Sequence, residues 1–278
     1  MSKKPTSNAT LSATARWIAA ARARESARED RLFNDPWAAA LAGEEGQRWL
    51  EQRTPDSLSS ILLRTRFFDD FLRRITEQQG VRQVVLLAAG LDTRAFRLSW
   101  PEGTRVFELD RPSVLREKER ILRSAGAQPA CMRQAIGADL TKAWKASLVR
   151  AGFDTRQPSC WLMEGFLFYL TGEELRKLLD EVARLAIPGS WMGFDIINGA
   201  MLSSALTRQW VQMQADSGAP WIGTLDDPAG FLAERGWKAT LTQAGQPDAN
   251  HGRWSYPVIP TLMPDMPHNW FVVARKEL

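Results

Sequence analysis

Over the first eighty residues apolar positions recur at helical spacing, and beyond them they gather into short unbroken runs. Residues 11–31 are rich in Ala and Arg and free of Pro and Gly, a composition that predicts a helix. Asn34-Asp35-Pro36 interrupts it and supplies a start signal for a second helix over residues 37–50. Thr54-Pro55-Asp56 interrupts again. Residues 57–77 then carry Leu58, Ile61, Leu62, Phe68, Phe71 and Leu72 as one broad apolar stripe, which predicts a third helix. Residues 1–9 show no such pattern and read as disordered.

After Gly80 the period changes. Val84-Val85-Leu86-Leu87-Ala88 is a continuous apolar run that stops at a glycine-containing turn, as a buried parallel strand does. Comparable runs follow at 105–109, 131–135, 159–163 and 191–197, with helical segments at 112–123, 142–151 and 172–186 between them. The alternation predicts an α/β fold built on a doubly wound parallel sheet. Residues 199–235 read as a mostly helical insert, and the tail offers two more strands, 237–241 and 269–274. The organisation expected is one domain over residues 1–278: a helical cap (1–79), a core (80–198 and 236–278) and the insert.

Composition narrows the function classes. The formal charge of +4 is small, and the most basic stretch, Arg16 to Arg31, also carries Glu25, Glu29 and Asp30, so it reads as a solvated helix face and not as a nucleic-acid stripe. Cys131 and Cys160 sit in strand-like apolar runs and read as buried small hydrophobes of a reducing compartment, neither bridge nor metal ligands. No run approaches the roughly 18 apolar residues of a membrane span, and the N-terminus lacks an apolar signal core, so a cytoplasmic protein is expected.

In an open parallel sheet a ligand sits beyond the carboxyl ends of the strands, beside the switch in strand order. The first strand runs into Ala88-Ala89-Gly90-Leu91-Asp92, where small residues let a ligand approach the backbone and Gly90 can take a positive φ. The second strand ends in Asp110, at the separation expected of a carboxylate that accepts ribose hydroxyl protons. Those two features point to a nucleoside. The turn has one glycine where a dinucleotide fingerprint has three, acidic Asp92 follows it, and there is no triphosphate loop. An acid in that turn repels phosphate but tolerates a sulfonium, so S-adenosylmethionine fits best.

The ordered stretches LLAAGLDTRAFRL, FELDRPSVLREK, ADL and MEGFLFYL resemble the leucine carboxyl methyltransferase family, which includes bacterial O-methyltransferases of polyketide pathways. The resemblance implies a class I methyltransferase (Rossmann-like) sheet of seven strands with the last antiparallel, and a helical cap. Matched residue by residue, it implies that Arg64 pairs with the methionine carboxylate, with Arg66 as the close alternative. Ala88 and Gly90 match the turn against the cofactor, and Asp110 the ribose acid. Asp139 and Leu140 match the pair bracketing adenine, although Asp139 can also be read as a helix N-cap. Glu164 matches the acid beside the methionine arm. Ala88 stands where the family usually has glycine.

Methyl transfer from a sulfonium needs alignment of nucleophile, carbon and sulfur and exclusion of water. A carboxylate acceptor is already ionised at neutral pH, whereas an alcohol needs a base. Only His251 and His268 are present, in the tail, and both read as surface-loop residues. That scarcity leans toward a small-molecule carboxylate or acidic hydroxyl, with Asp195, Tyr169 or a water as the remaining bases. No catalytic residue and no metal site is assigned. The acceptor pocket is expected between the cap and the insert, where Trp17, Trp37, Trp210 and Trp221 lie, with Trp254 in the tail; Arg208, Arg253 and Tyr256 are candidates for orienting an acceptor. The competing readings are a protein C-terminal carboxyl methyltransferase and a non-catalytic S-adenosylmethionine-binding protein.

Overall fold

A computed structural model describes the backbone of residues 7–53 and 55–277 and the side chains of residues 14–53 and 58–277. Three helices come first: α1 (Ser7–Ser26), α2 (Ala38–Glu51) and α3 (Pro55–Gln78). Trp17, Ala19 and Ala20 of α1 close against Leu41, Ala42 and Leu50 of α2, while α3 turns Phe68, Phe71, Leu72 and Ile75 onto the sheet. The first helix ends five residues before the predicted Arg31, at a turn where Ser26 Oγ donates to Arg22 O. Of the segment expected to be disordered, residues 7–9 are helical and residues 1–6 lie outside the described residues, as does Thr54. The N-cap of α2 is Trp37 and not Asp35, whose Oδ1 accepts the Trp37 N–H at 3.3 Å while Oδ2 is engaged by Arg22 and Thr93.

The core alternates β1 (Gln83–Leu87), α4 (Arg94–Arg97), β2 (Arg105–Asp110), α5 (Pro112–Ser124), β3 (Met132–Gly137), α6 (Lys145–Arg150), β4 (Ser159–Met163), α7 (Gly172–Leu185) and β5 (Trp191–Ile197). β1 and β4 are buried at every position, as unbroken apolar runs covered on both faces must be. β3 is instead largely exposed, because it is the edge of the sheet, and Cys131 falls just before it and is only partly buried. α7 starts with a capping box, in which Thr171 and Glu174 satisfy one another's backbone N–H groups, and it buries Leu175, Leu178, Leu179 and Val182. The insert carries three short helices, α8 (Gly199–Ser203), α9 (Arg208–Asp216) and α10 (Pro228–Ala233), before β6 (Trp237–Thr242) and β7 (Asn269–Lys276) complete the sheet.

The seven strands run in the order β3-β2-β1-β4-β5-β7-β6. β1 pairs in parallel with both β2 and β4, and β7 runs antiparallel between β5 and β6, as the resemblance implied. The chain moves outward from β1 in one direction and from β4 in the other. The loops leaving these two strands therefore diverge and open a crevice at their carboxyl ends.

Candidate active site

The turn after β1 is where the chain is least ordinary. Ala88 has φ 54° and Gly90 φ 45°, both left-handed; among the described residues His251 is the other non-glycine residue with positive φ. A Cβ in this region costs roughly 1–2 kcal/mol, which is why glycine suits position 88. The turn is held by Asp110 at the end of β2, whose Oδ2 accepts the Gly90 N–H at 2.7 Å while Oδ1 accepts that of Arg111 at 2.6 Å. Burial raises the Asp110 carboxyl above the ordinary carboxylate range, against those two hydrogen bonds.

Beneath the turn lies a chain of buried ion pairs. Arg94 reaches Asp69 at 2.7 Å, Glu164 at 2.7 Å and Asp92. Arg97 holds Asp69 at 2.6 Å, and Arg64 joins Glu164 at 3.0 Å to Asp195 at 2.8 Å. Arg22 and Asp35, 2.8 Å apart, extend the chain into the cap, where Arg22 also donates to Leu91 O. Gly165, at φ 66°, allows this packing: a Cβ there would sit 3.0 Å from Arg64 Nη2. Its N–H donates to Asp195 Oδ1 at 2.6 Å. Arg22, Arg64, Arg94 and Arg97 thus face Asp35, Asp69, Asp92, Glu164 and Asp195, one acid more than bases. Burial raises the Asp195 carboxyl above its ordinary range, opposed by Arg64 and the Gly165 N–H and reinforced by Glu164. Asp92 goes the other way. Burial opposes its ionisation, yet Arg94 and Lys118 hold it down to about 2.

Three cavities meet around these residues. The first, of about 190 Å3, is lined by Arg64, Ala88, Gly90, Asp110 and Glu164, with Thr14, Ile18 and Arg22 of α1 as its roof. It shares Ala88, Asp110, Phe166 and Tyr169 with a second, of about 230 Å3, that Asp139 and Leu140 line. It shares Arg64, Gly165 and Tyr169 with a third, of about 630 Å3, enclosed by the cap, the insert and the loop between β6 and β7. All seven residues matched to the cofactor therefore stand along one cleft. Arg66 does not: it pairs with Asp70 on the outer side of α3 and donates to Leu32 O. Asp139 caps no helix, since α6 begins at Lys145; its Oδ1 accepts from Thr141 N and Oγ1 in a local turn.

Trp17, Trp210, Trp221, Trp254 and Tyr256 line the third cavity, whereas Trp37 packs in the cap core. Arg208 lies outside it, and Arg253 is tied to Glu25 and Asp30. Arg64 is the one charged side chain on its wall among the described residues. His268 is buried, not a surface residue: its ring stacks on Trp270 and its nitrogens face Gln243 Oε1 at 2.7 Å and Met263 O at 2.9 Å. Asp195 has both oxygens committed and lines none of the three cavities. Burial pushes the Tyr169 phenol up to about 12, so it stays protonated at neutral pH and is a poor base. Sequence reasoning did not assign roles to Asp69, Arg94 and Arg97. Nothing local in Thr93-Arg94-Ala95-Phe96-Arg97 marks its two arginines as partners of buried acids.

Comparison with known proteins adds an independent line. The leucine carboxyl methyltransferase model matches residues 15–183. A protein of Parafrankia sp., provisionally named as an S-adenosyl-L-methionine-dependent methyltransferase, is 42% identical over 235 residues, 80% of this chain and 74% of its own. One of Saccharopolyspora erythraea, named in the same way, is 40% identical over 252 residues, 84% and 85% of the two chains. Among solved structures, a DUF574 family protein from Streptomyces avermitilis superposes with TM-score 0.66 over 95% of this chain and 97% of its own, at 16% identity, which speaks for a shared fold.

Two outcomes follow for stability. Ala88→Gly exchanges left-handed strain of about 1–2 kcal/mol for a smaller loss of chain entropy, so denaturant unfolding should show a net gain of about 0.5–1 kcal/mol; a loss would mean that the turn is not strained. The Asp92 carboxyl lies below its ordinary ~3.9, so its pairing contributes stability above that pH and loses it as pH falls toward about 2. Asp92→Asn should thus be less stable than wild type at neutral pH by roughly 2 kcal/mol, with the gap closing in acid. A gap that is constant with pH would refute the ion pairing.

Proposed function

Since the chain belongs to the leucine carboxyl methyltransferase family, we propose that it transfers a methyl group from S-adenosylmethionine to an oxygen of a small apolar molecule, a carboxylate or an acidic hydroxyl. Family membership makes it an S-adenosylmethionine-dependent methyltransferase; the acceptor class is our reading. The observation that carries it is the third cavity, walled by aromatic and aliphatic side chains, without an acid or a histidine among its described lining residues, and meeting the cofactor cleft at Arg64, Gly165 and Tyr169.

The cleft suits this cofactor on its own chemistry. Its ion-pair chain carries one acid too many, which a ligand of net positive charge offsets, and Asp92 beside the turn disfavours a pyrophosphate. In this reading Asp110 accepts ribose hydroxyl protons with the lone pairs that Gly90 and Arg111 leave free. Arg64 and Glu164 hold the carboxylate and ammonium of the amino-acid arm, and Asp139 and Leu140 flank the base. When bound, the cofactor supplies a methyl group already activated on a sulfonium. What the chain must do is orient the acceptor oxygen and keep water out, and a close-fitting apolar cavity does both. An acceptor that arrives ionised needs no base, in keeping with the lining. A cytoplasmic metabolite enzyme fits the two free thiols, Cys131 and Cys160.

S-adenosylhomocysteine at a hundredfold over its Kd should stabilise the protein by about 2.7 kcal/mol, and NADH should not. Asp110→Ala should abolish that shift; wild-type affinity in the variant would remove Asp110 from the site. Label carried from methyl-labelled cofactor into extract metabolites should be released by mild alkali if the product is a carboxyl ester and retained if it is an ether. Label appearing only on protein would contradict a small-molecule acceptor.

A further inference from the structure

Most buried or half-buried arginines among the described residues find carboxylates, and Arg82 and Arg105, which do not, donate to backbone carbonyls instead. Arg22, Arg64, Arg94, Arg97 and Arg133 each lie within ion-pair distance of at least one acid. Arg53, partly buried just beyond the end of α2, has no carboxylate within that distance among the described residues, and its Nε is shut away without a hydrogen-bond partner. Its guanidinium is placed by stacking alone, 4.7 Å from the centre of the Trp17 ring and 5.9 Å from that of Trp49. Burial lowers its pKa. A cation that gives up water without gaining a counter-ion is costly to keep, unless a ligand supplies the missing charge.

Its position says which ligand. Arg53 lines a cleft of about 750 Å3 between the end of α2 and α9, together with Trp49, Gln52, Arg208 and Gln209. The one acid among the described lining residues of that cleft, Asp216, accepts a hydrogen bond from Gln212 at 2.8 Å. The cleft adjoins the acceptor cavity: Met213 lines both, and Trp17, which carries the Arg53 guanidinium, lines the acceptor cavity. We propose that Arg53 and Arg208 form an anion-binding subsite that holds a carboxylate or phosphate group of the acceptor, remote from the oxygen that is methylated. The proposal rests on the acceptor reading above and makes the substrate amphipathic, with an apolar body among the tryptophans and an acidic end in the cleft. Arg53 serves as a specificity determinant because a fork of N–H donors on aromatic rings recognises planar or tetrahedral oxyanions better than neutral groups.

The test titrates the full chain with 2-naphthyl phosphate, 2-naphthoate and 2-naphthol, read by tryptophan fluorescence, with and without S-adenosylhomocysteine. Both acids, or the one matching the acceptor's own group, should bind about tenfold more tightly than the naphthol. Arg53→Gln should bring the acids to the level of the naphthol without moving the latter, Arg53→Lys should keep part of the preference, and Arg208→Gln should reduce it. Equal binding of the three probes by wild type would overturn the subsite, as would an equal loss of naphthol in Arg53→Gln, which marks mere packing. Should that variant not fold, wild type decides: an acid preference that fades at ~0.5 M NaCl supports the subsite, and one indifferent to salt refutes it. Absence of any effect of S-adenosylhomocysteine on stability would instead count against the methyltransferase reading, independently of the acid preference.

Discussion

The guanidinium of Arg94 is the point on which the site depends. It is buried, and it touches Asp69 of α3, Asp92 of the turn after β1 and Glu164 at the end of β4. Three segments distant in sequence are thereby fixed to one another by a single planar group. Removing one partner of such a buried pair typically costs about 3–5 kcal/mol, because the charge left behind has neither water nor counter-ion. Such a network is therefore a device for position more than for stability. It sets where Arg64 and Glu164 stand, and it leaves one carboxylate over, an electrostatic condition that a cationic ligand relieves.

The rest of the architecture divides labour around that anchor. The diverging loops of β1 and β4 provide the crevice, and Asp110 braces the strained turn that floors it. The cap closes over it through Arg22, whose bonds to Asp35 and Leu91 O tie α1 to the same turn. Beyond Tyr169 the chemistry changes from charged to aromatic, and the walls come from segments added to the sheet: α1, the insert and the loop between β6 and β7. Asn198 and His268 fasten that loop, the former by donating to Pro264 O and Met266 O, the latter through Gln243 and Met263 O. In the proposed reading, the sheet and its ion pairs specify the cofactor side, and what is packed on top specifies the acceptor side.

The same division decides what could be read from the sequence. All seven strands were legible, most clearly β1 and β4, where burial on both faces makes an unbroken apolar run such as Val84-Val85-Leu86-Leu87. The small-residue turn of Ala88 and Gly90 and the acid that ends β2, Asp110, were legible as neighbours at the switch point, and the structure joins them by the Gly90 N–H to Asp110 Oδ2 bond. The roles of Asp69, Arg94 and Arg97 were not, since charged residues in a helix and a turn look solvated until the fold buries them. Asp35 was legible only as part of the start signal before α2, and nothing local shows that its carboxylate also takes Arg22 across the cap. His268 looked like a loop histidine because nothing local shows that Trp270 and Gln243 will enclose it.

A crystal structure with S-adenosylhomocysteine bound would probe the central claim most directly. The account predicts its ribose within hydrogen-bond distance of Asp110, its amino-acid arm between Arg64 and Glu164, and its adenine beside Asp139 and Leu140, with the ion pairs of Arg94 unchanged. Density for the ligand outside that crevice, or a crevice reached only after the Arg94 pairs had come apart, would contradict it.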